Sequence, residues 1–222
     1  MPSKHSSPAR EMNWTRLLVI YCGLFVIWSL YRLLFHSSVI IEEGIIKGII
    51  FSLPLLIVPV KDKYPIKAMG ITSAHFFQSV YLGITLGLML GLAGQAGNFI
   101  RHQTILFSNF NLTSANIGAF LILSLITAFW EQLLFSGYFL RQSSHITTNE
   151  TFQVSVVGLL FSIIHLPVMV FVQHGSLSQL LLSFILLFTL GIGCAILLLR
   201  QNNLIAPIMA HALWGVTIFL FR

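Results

Sequence analysis

The sequence is short of charged residues and of cysteine, and each shortage excludes a class of protein. Asp, Glu, Lys and Arg make up 8% of its 222 residues, whereas hydrophobic residues make up 56%. Soluble domains carry about 25% charged residues, so this composition predicts an integral membrane protein. The two cysteines, Cys22 and Cys194, lie far apart in apolar runs. Neither a disulfide framework nor a Cys-x-x-Cys metal site is therefore expected.

The sequence also lacks a basic cluster, an internal repeat and a His-Glu-x-x-His helix. Its 12 basic residues outnumber the 6 acidic ones, but they are thinly spread and mostly flank apolar runs, as in membrane proteins. We therefore expect contact with the lipid bilayer and no nucleic-acid partner. The absence of a repeat weakens an interpretation as a transporter built from duplicated halves.

Long apolar runs dominate the rest of the chain. A helix needs about 20 apolar residues to cross the hydrocarbon core, so we predict an all-α, multi-pass transmembrane helical bundle of about seven spans. The predicted spans are residues 16–35, 45–60, 74–98, 115–140, 152–173, 178–200 and 203–221. Lys47 and Pro54 interrupt the second span, which is the weakest. The third contains Gly83, Gly87 and Gly91 at steps of four, a strip typical of close helix packing.

The basic residues also predict an orientation. The first apolar run is too long for a signal peptide and no Ala-x-Ala site follows it, so we predict a first membrane helix. With a cytoplasmic N terminus, eight basic residues face the cytoplasm: Lys4, Arg10, Arg16, Lys61, Lys63, Lys67, Arg141 and Arg200. Four face the opposite side: Arg32, Lys47, Arg101 and Arg222. This excess favours a cytoplasmic N terminus, and we expect the protein in the plasma membrane.

A carboxylate, Glu131, lies near the middle of the fourth predicted span. A charged side chain costs roughly 2.5–3.5 kcal/mol at the centre of a membrane helix, so such a residue indicates a function by default. Ser124, Thr127, Glu131, Phe135 and Tyr138 recur at steps of three and four. These steps place Glu131 on a single stripe of the helix.

Two other predicted spans each carry a histidine on such a stripe. His165 follows Phe161 in the fifth span, and His211 follows Pro207 in the seventh. With a rise of 1.5 Å per residue, Glu131, His165 and His211 lie roughly 14, 20 and 12 Å from the cytoplasmic ends of their helices. We therefore expect the three side chains to meet in one layer.

The chemistry of these three residues suits hydrolysis. A carboxylate with two imidazoles in a poorly hydrated pocket can activate water and stabilise the oxyanion that forms when water attacks a carbonyl. Glu131, His165 and His211 also form a set that could hold a catalytic zinc ion with an open position. The sequence leaves open both a metal-free glutamic mechanism, which requires no cofactor, and a zinc-assisted one.

Three segments resemble, in order, the motifs of the CAAX-protease and bacteriocin-processing (CPBP, or Abi) intramembrane proteases. Residues 131–137, Glu-Gln-Leu-Leu-Phe-Ser-Gly, look like the family's Glu-Glu-x-x-x-Arg-Gly motif. Residues 161–165, Phe-Ser-Ile-Ile-His, look like its Phe-x-x-x-His motif, and residues 203–212 are similar to the run leading into its His-x-x-x-Asn/Asp motif. The resemblance divides the chain into N-terminal transmembrane segments, residues 1–114, and a family-like catalytic core, residues 115–222.

The resemblance implies roles for named residues. Glu131 would be the catalytic base, and His165 and His211 would assist it at the oxyanion. Residues implied to support these three or to contact substrate are Gln132, Phe135, Ser136, Phe161 and Gly215. Three of them depart from the family pattern, since Gln132 replaces a Glu, Ser136 an Arg and Gly215 an Asn or Asp.

The resemblance thus implies a multi-pass intramembrane endopeptidase whose substrate is a membrane-associated protein or peptide. Prenylated CAAX chains, bacteriocin leaders and C-terminal sorting signals are all implied substrates. The three departures keep open a non-catalytic member of the same fold that binds a membrane partner. The same Glu and His residues would also suit the relay of a proton-coupled carrier.

Overall fold

Helices, and no strands, make up the regular structure of the described residues. The computed structural model describes residues 13–35, 37–62, 66–103 and 114–220. Lys4, Arg10, Lys63 and Arg222, which enter the orientation argument, lie outside these ranges. Four helices run without interruption: α1 (Trp14–Leu34), α3 (Phe76–His102), α6 (Leu177–Gln201) and α7 (Ile205–Leu220).

Three further helical stretches change their winding along their length. Each contains a π-helical turn, a feature frequent at functional sites. The stretch α2 comprises Val39–Ile41, a π turn Glu42–Ile46 and Lys47–Asp62. The stretch α4 comprises Ser114–Gln132, a π turn Leu133–Leu140 and Arg141–Ser144. The stretch α5 comprises Glu150–Ile163 and, after a break, a π turn Val168–Val172.

The seven stretches coincide with the seven segments predicted from the sequence. Within the described residues, five are long and apolar enough to cross a membrane: Trp14–Leu34, Phe76–Gly97, Ile117–Ser144, Glu150–Val172 and Leu177–Gln201. The apolar part of α7, Ile205–Thr217, is shorter. The structure therefore confirms an all-α bundle that is integral to the membrane.

The glycine strip of α3 packs against α7. A Cβ added at Gly83 would collide with the carbonyl oxygen of Ala206, and one at Gly87 would lie 2.6 Å from that of Ala210. Contacts this short exclude any larger side chain at these two positions. The predicted packing role of the strip is confirmed, and the strip fixes the position of α7.

The first helix is a packed member of the bundle. Leu17, Tyr21, Leu24 and Trp28 are buried along one face of α1, and the Tyr21 hydroxyl donates a hydrogen bond to the Leu160 carbonyl of α5 at 2.8 Å. This face continues into an aromatic layer that crosses the bundle. Four side chains form it through edge contacts: Trp28, Phe51, Phe135 and Phe161.

Candidate active site

Glu131 lies where the regular part of α4 gives way to its π turn. Its side chain is 1% exposed, so its two oxygens depend on protein groups for partners. Oε1 accepts a hydrogen bond from the Lys47 ammonium at 2.7 Å, and Oε2 has no hydrogen-bond partner among the described residues. Oε2 faces two imidazoles, which makes it the free acceptor of the site.

His165 reaches Glu131 from the break in α5. Pro167 has no backbone N–H to continue the helix, and His165 occupies the turn that follows Ile163. Its Nδ1 lies 2.8 Å from the Phe161 carbonyl oxygen, and its Nε2 lies 3.3 Å from Glu131 Oε2. A carbonyl only accepts, so Nδ1 carries a proton. In the neutral ring Nε2 is then an acceptor that faces the carboxylate.

His211 approaches the same oxygen from α7 with the opposite tautomer. Ser136 Oγ donates to Gln132 Oε1 at 2.6 Å, which turns the amide nitrogen of Gln132 towards His211 Nδ1 at 3.1 Å. The amide nitrogen only donates, so Nδ1 accepts and Nε2 carries the proton. That Nε2 lies 3.7 Å from Glu131 Oε2. His165 thus presents an acceptor nitrogen, and His211 a donor nitrogen, towards Glu131 Oε2.

The structure brings Glu131, His165 and His211 together, as expected from their positions along the three helices. Phe161 fills the space beside both imidazoles, with its ring centroid 4.8 Å from that of His165 and 5.4 Å from that of His211. Phe135 packs edge-on against Phe161 at 5.3 Å. These aromatic contacts hold the imidazoles in position and limit access of water.

Gly215 contributes no polar group to the site. A Cβ at this position would lie 2.5 Å from Ser124 Oγ, and that hydroxyl donates to the Ala212 carbonyl at 2.7 Å. A larger side chain at position 215 would displace Ser124. The contact between α4 and α7 therefore favours glycine at position 215, where the resemblance leads us to expect an Asn or Asp.

Lys47 is a site residue that the sequence interpretation missed. Its Nζ donates to Glu131 Oε1 at 2.7 Å and also pairs with Glu43. Arg32 in turn pairs with Glu42 and with Glu43. The signal in the sequence is a Glu, Glu and Lys grouped within one apolar segment, residues 42–47, at helical spacing.

This network corrects part of the orientation argument. Arg32 and Lys47 were counted among the four basic residues that face the outer side, but they are only 2% and 5% exposed. Both positive charges are neutralised by buried carboxylates. They therefore do not count towards the distribution of basic residues on the membrane surfaces.

The donor set does not form a zinc site in the arrangement described. No group of three or more His, Cys, Asp or Glu side chains in the described residues is placed to hold a metal ion. Glu131 Oε1 already accepts from the Lys47 ammonium, and His211 Nε2 carries a proton where a metal would require a lone pair.

A cavity of about 770 Å³ lies away from these residues, where the loop before α3 meets the end of α6. Its lining includes Lys67, Thr72, His75, Arg200 and Asn202 and none of the three predicted catalytic residues. The site around Glu131 is instead enclosed by packed side chains.

Residues 113–217 match the family model described as Type II CAAX prenyl endopeptidase Rce1-like. The matched range contains all three motifs on which the sequence resemblance rests. No curated protein and no solved structure matches the chain.

Proposed function

We propose, from the match of residues 113–217 to the Rce1-like CAAX prenyl endopeptidase family model, that the chain is a member of that family and that Glu131 activates water for peptide hydrolysis within the membrane. The observation that carries the proposal is the environment of Glu131 Oε2. This oxygen is buried, has no hydrogen-bond partner among the described residues, and faces two imidazole nitrogens at 3.3 and 3.7 Å. A water molecule between these groups could donate to Glu131 Oε2 and His165 Nε2 and accept from His211 Nε2–H.

The two histidines have different roles in this proposal. A water bound between Glu131 Oε2 and His165 Nε2 donates to two acceptors, and Glu131 takes its proton as the oxygen attacks the peptide carbonyl. The new C–O bond gives a tetrahedral intermediate, and His211 Nε2–H donates to its oxyanion. Glu131 then passes its proton to the amide nitrogen, the C–N bond breaks and the carboxylate is restored. The tautomers set by Phe161 and Gln132 support this division of roles.

We propose that the substrate is a membrane-associated protein or peptide. The outward faces of the bundle carry large apolar side chains, such as Phe77 and Leu92 on α3, and these are suited to lipid. A substrate with an apolar anchor can reach a site at this depth by lateral diffusion. Prenylated CAAX chains are the first class to test, because the family is described by that activity.

A proton-coupled carrier is the second candidate, and a buried row of alternating charges favours it. Arg32, Glu43, Lys47 and Glu131 contact one another in sequence. Glu43 and Glu131 are the members of this row that could carry a proton, as chains of Asp, Glu and His do in membrane pumps and transporters. Proton flux into proteoliposomes that Glu131→Gln abolishes, without cleavage of any peptide, would select the carrier.

The test of protease function compares the C termini of membrane proteins in cells that express the wild-type chain or Glu131→Gln. We expect a defined set of C termini to be shortened only with the wild type. Glu150→Gln is the matched control, since Glu150 is exposed and pairs with Arg200 away from the site; it should reproduce the wild-type set. Identical C termini with wild type and Glu131→Gln would contradict the proposal.

A further inference from the structure

We propose that Lys47, a residue outside the family match, is the positioning cation of the site: it fixes one carboxylate oxygen of Glu131 so that the other faces the two histidines. This inference rests on the proposed function of Glu131. It adds a residue from α2 to a site that the motifs place entirely on α4, α5 and α7.

The contacts of Lys47 leave its ammonium little freedom. Nζ contacts Glu131 Oε1 at 2.7 Å and also pairs with Glu43, four residues earlier on the same helical stretch. It lies 5.6 Å from the centroid of the Trp28 ring. With Oε1 held in this way, rotation of the carboxylate away from His165 and His211 would break a charge-assisted hydrogen bond, which is about twice as strong as a neutral one.

Lys47 is itself held by a second layer of charge. Glu43 accepts from Arg32 at 3.0 Å and from the Thr127 hydroxyl of α4 at 3.3 Å. The Arg32 guanidinium also pairs with Glu42 and lies 4.4 Å from the centroid of the Trp28 ring. The ammonium of Lys47 therefore occupies a position defined by α1, α2 and α4 together.

Gly48 makes the approach of Lys47 to Glu131 possible. A Cβ at Gly48 would lie 2.7 Å from Trp130 Nε1, on the residue next to Glu131. A larger side chain at position 48 would force the Trp130 ring to move, so glycine favours this close packing of α2 against α4. The chain thus places its smallest residue beside the cation and a large aromatic residue beside the carboxylate.

Two neutral motif positions explain why a cation from another helix is needed. At 132 and 136 the resemblance leads us to expect a Glu and an Arg, but this chain has Gln132 and Ser136, which hydrogen-bond to each other. The motif helix therefore supplies no positive charge near Glu131 from these positions. Lys47 supplies that charge from α2.

The first test is kinetic. With a substrate that the wild type cleaves, Lys47→Met should lower kcat by about 100-fold through misplacement of Glu131, while KM stays unchanged. Lys47→Arg, which keeps the charge, should recover most of that loss. Lys67→Met is the matched control, since Lys67 is exposed and distant from Glu131, and it should match the wild type. An unchanged kcat for Lys47→Met, or no recovery with Lys47→Arg, would overturn the role of Lys47.

The second test does not depend on activity. Thermal unfolding midpoints of Lys47→Met, Glu131→Gln and the double variant in detergent form a double-mutant cycle. Each single change leaves a buried charge without one partner, so we expect the double variant to lose less than the sum of the single losses. Additive losses would overturn the pairing. Should Lys47→Met not fold, Lys47→Gln replaces it in both tests.

The two tests separate this inference from the proposed function. If no peptide is cleaved by the wild type, the protease proposal fails, and the unfolding cycle still decides whether Lys47 holds Glu131. If the wild type cleaves and Glu131→Gln does not, an unchanged kcat in Lys47→Met rejects the positioning role of Lys47 and leaves the protease proposal standing.

Discussion

The two halves of the chain treat buried polarity in opposite ways. The N-terminal half buries full charges, with Arg32 and Lys47 paired to Glu42, Glu43 and, across the bundle, Glu131. The motif helix α4 surrounds the same Glu131 with neutral groups, where Ser136 and Gln132 form a hydrogen-bonded chain to His211.

This difference shows how a reduced motif can keep an ionised carboxylate. A buried charge is costly unless it is paired. With Gln132 and Ser136 where the resemblance leads us to expect a Glu and an Arg, α4 is less costly to bury, but Glu131 is left in need of a cation. The N-terminal half provides one, so the half without motifs determines the electrostatics of the site.

The largest expected effect on stability is at Arg32. Arg32→Met leaves Glu42 and Glu43 without their shared cation, so it should lower the free energy of unfolding by about 3–5 kcal/mol. Arg200→Met is the control, because the Arg200–Glu150 pair is exposed and such pairs contribute about 0–1 kcal/mol. Unfolding in detergent measures both, and equal losses would remove the contrast between the halves.

An intermediate effect is expected at the packing seam that positions His211. Gly87→Ala forces a Cβ against the Ala210 carbonyl at 2.6 Å, one residue from His211, and should cost about 1–3 kcal/mol. It should also lower the cleavage rate. Gly97→Ala on the same helix meets nothing within 4 Å, so it should be neutral or slightly stabilising. A tolerated Gly87→Ala would show that the charged network alone sets the geometry of the site.

The smallest expected effect on stability is in the hydrogen bonds that link the neutral side chains of Ser136, Gln132 and His211. Ser136→Ala removes the hydroxyl that orients Gln132 and should cost about 1 kcal/mol, the net contribution of a typical hydrogen bond. Ser144→Ala is the control, since that exposed hydroxyl only donates to the Arg141 carbonyl of its own helix. If Ser136→Ala lowered the free energy of unfolding as much as Arg32→Met does, the neutral hydrogen bonds would contribute as much stability as the ionic network.

The sequence predicted the parts of the structure that depend on local pattern. Apolar run length located the seven helical stretches, and helical spacing placed Glu131, His165 and His211 on faces that meet. The glycine strip predicted that another helix packs closely on α3, because glycine spacing acts directly on packing, and the structure identifies that helix as α7. These features follow from residues close together in the chain.

The charged network could not be predicted in the same way. Lys47 and Glu131 are 84 positions apart, and the contact depends on how α2 packs against α4. Counted by position alone, Arg32 and Lys47 resembled charges at the ends of spans. The tautomers of the two histidines were equally inaccessible, since they depend on the Phe161 carbonyl and on the amide orientation of Gln132.

The most direct test of the account is cleavage by purified protein in proteoliposomes, with a peptide taken from a substrate found by the comparison of C termini. General-base catalysis contributes about 10²–10⁴-fold, so Glu131→Gln should lower the cleavage rate by at least about 100-fold. Glu150→Gln should cleave at the wild-type rate. A Glu131→Gln variant that cleaves as fast as the wild type would contradict the account.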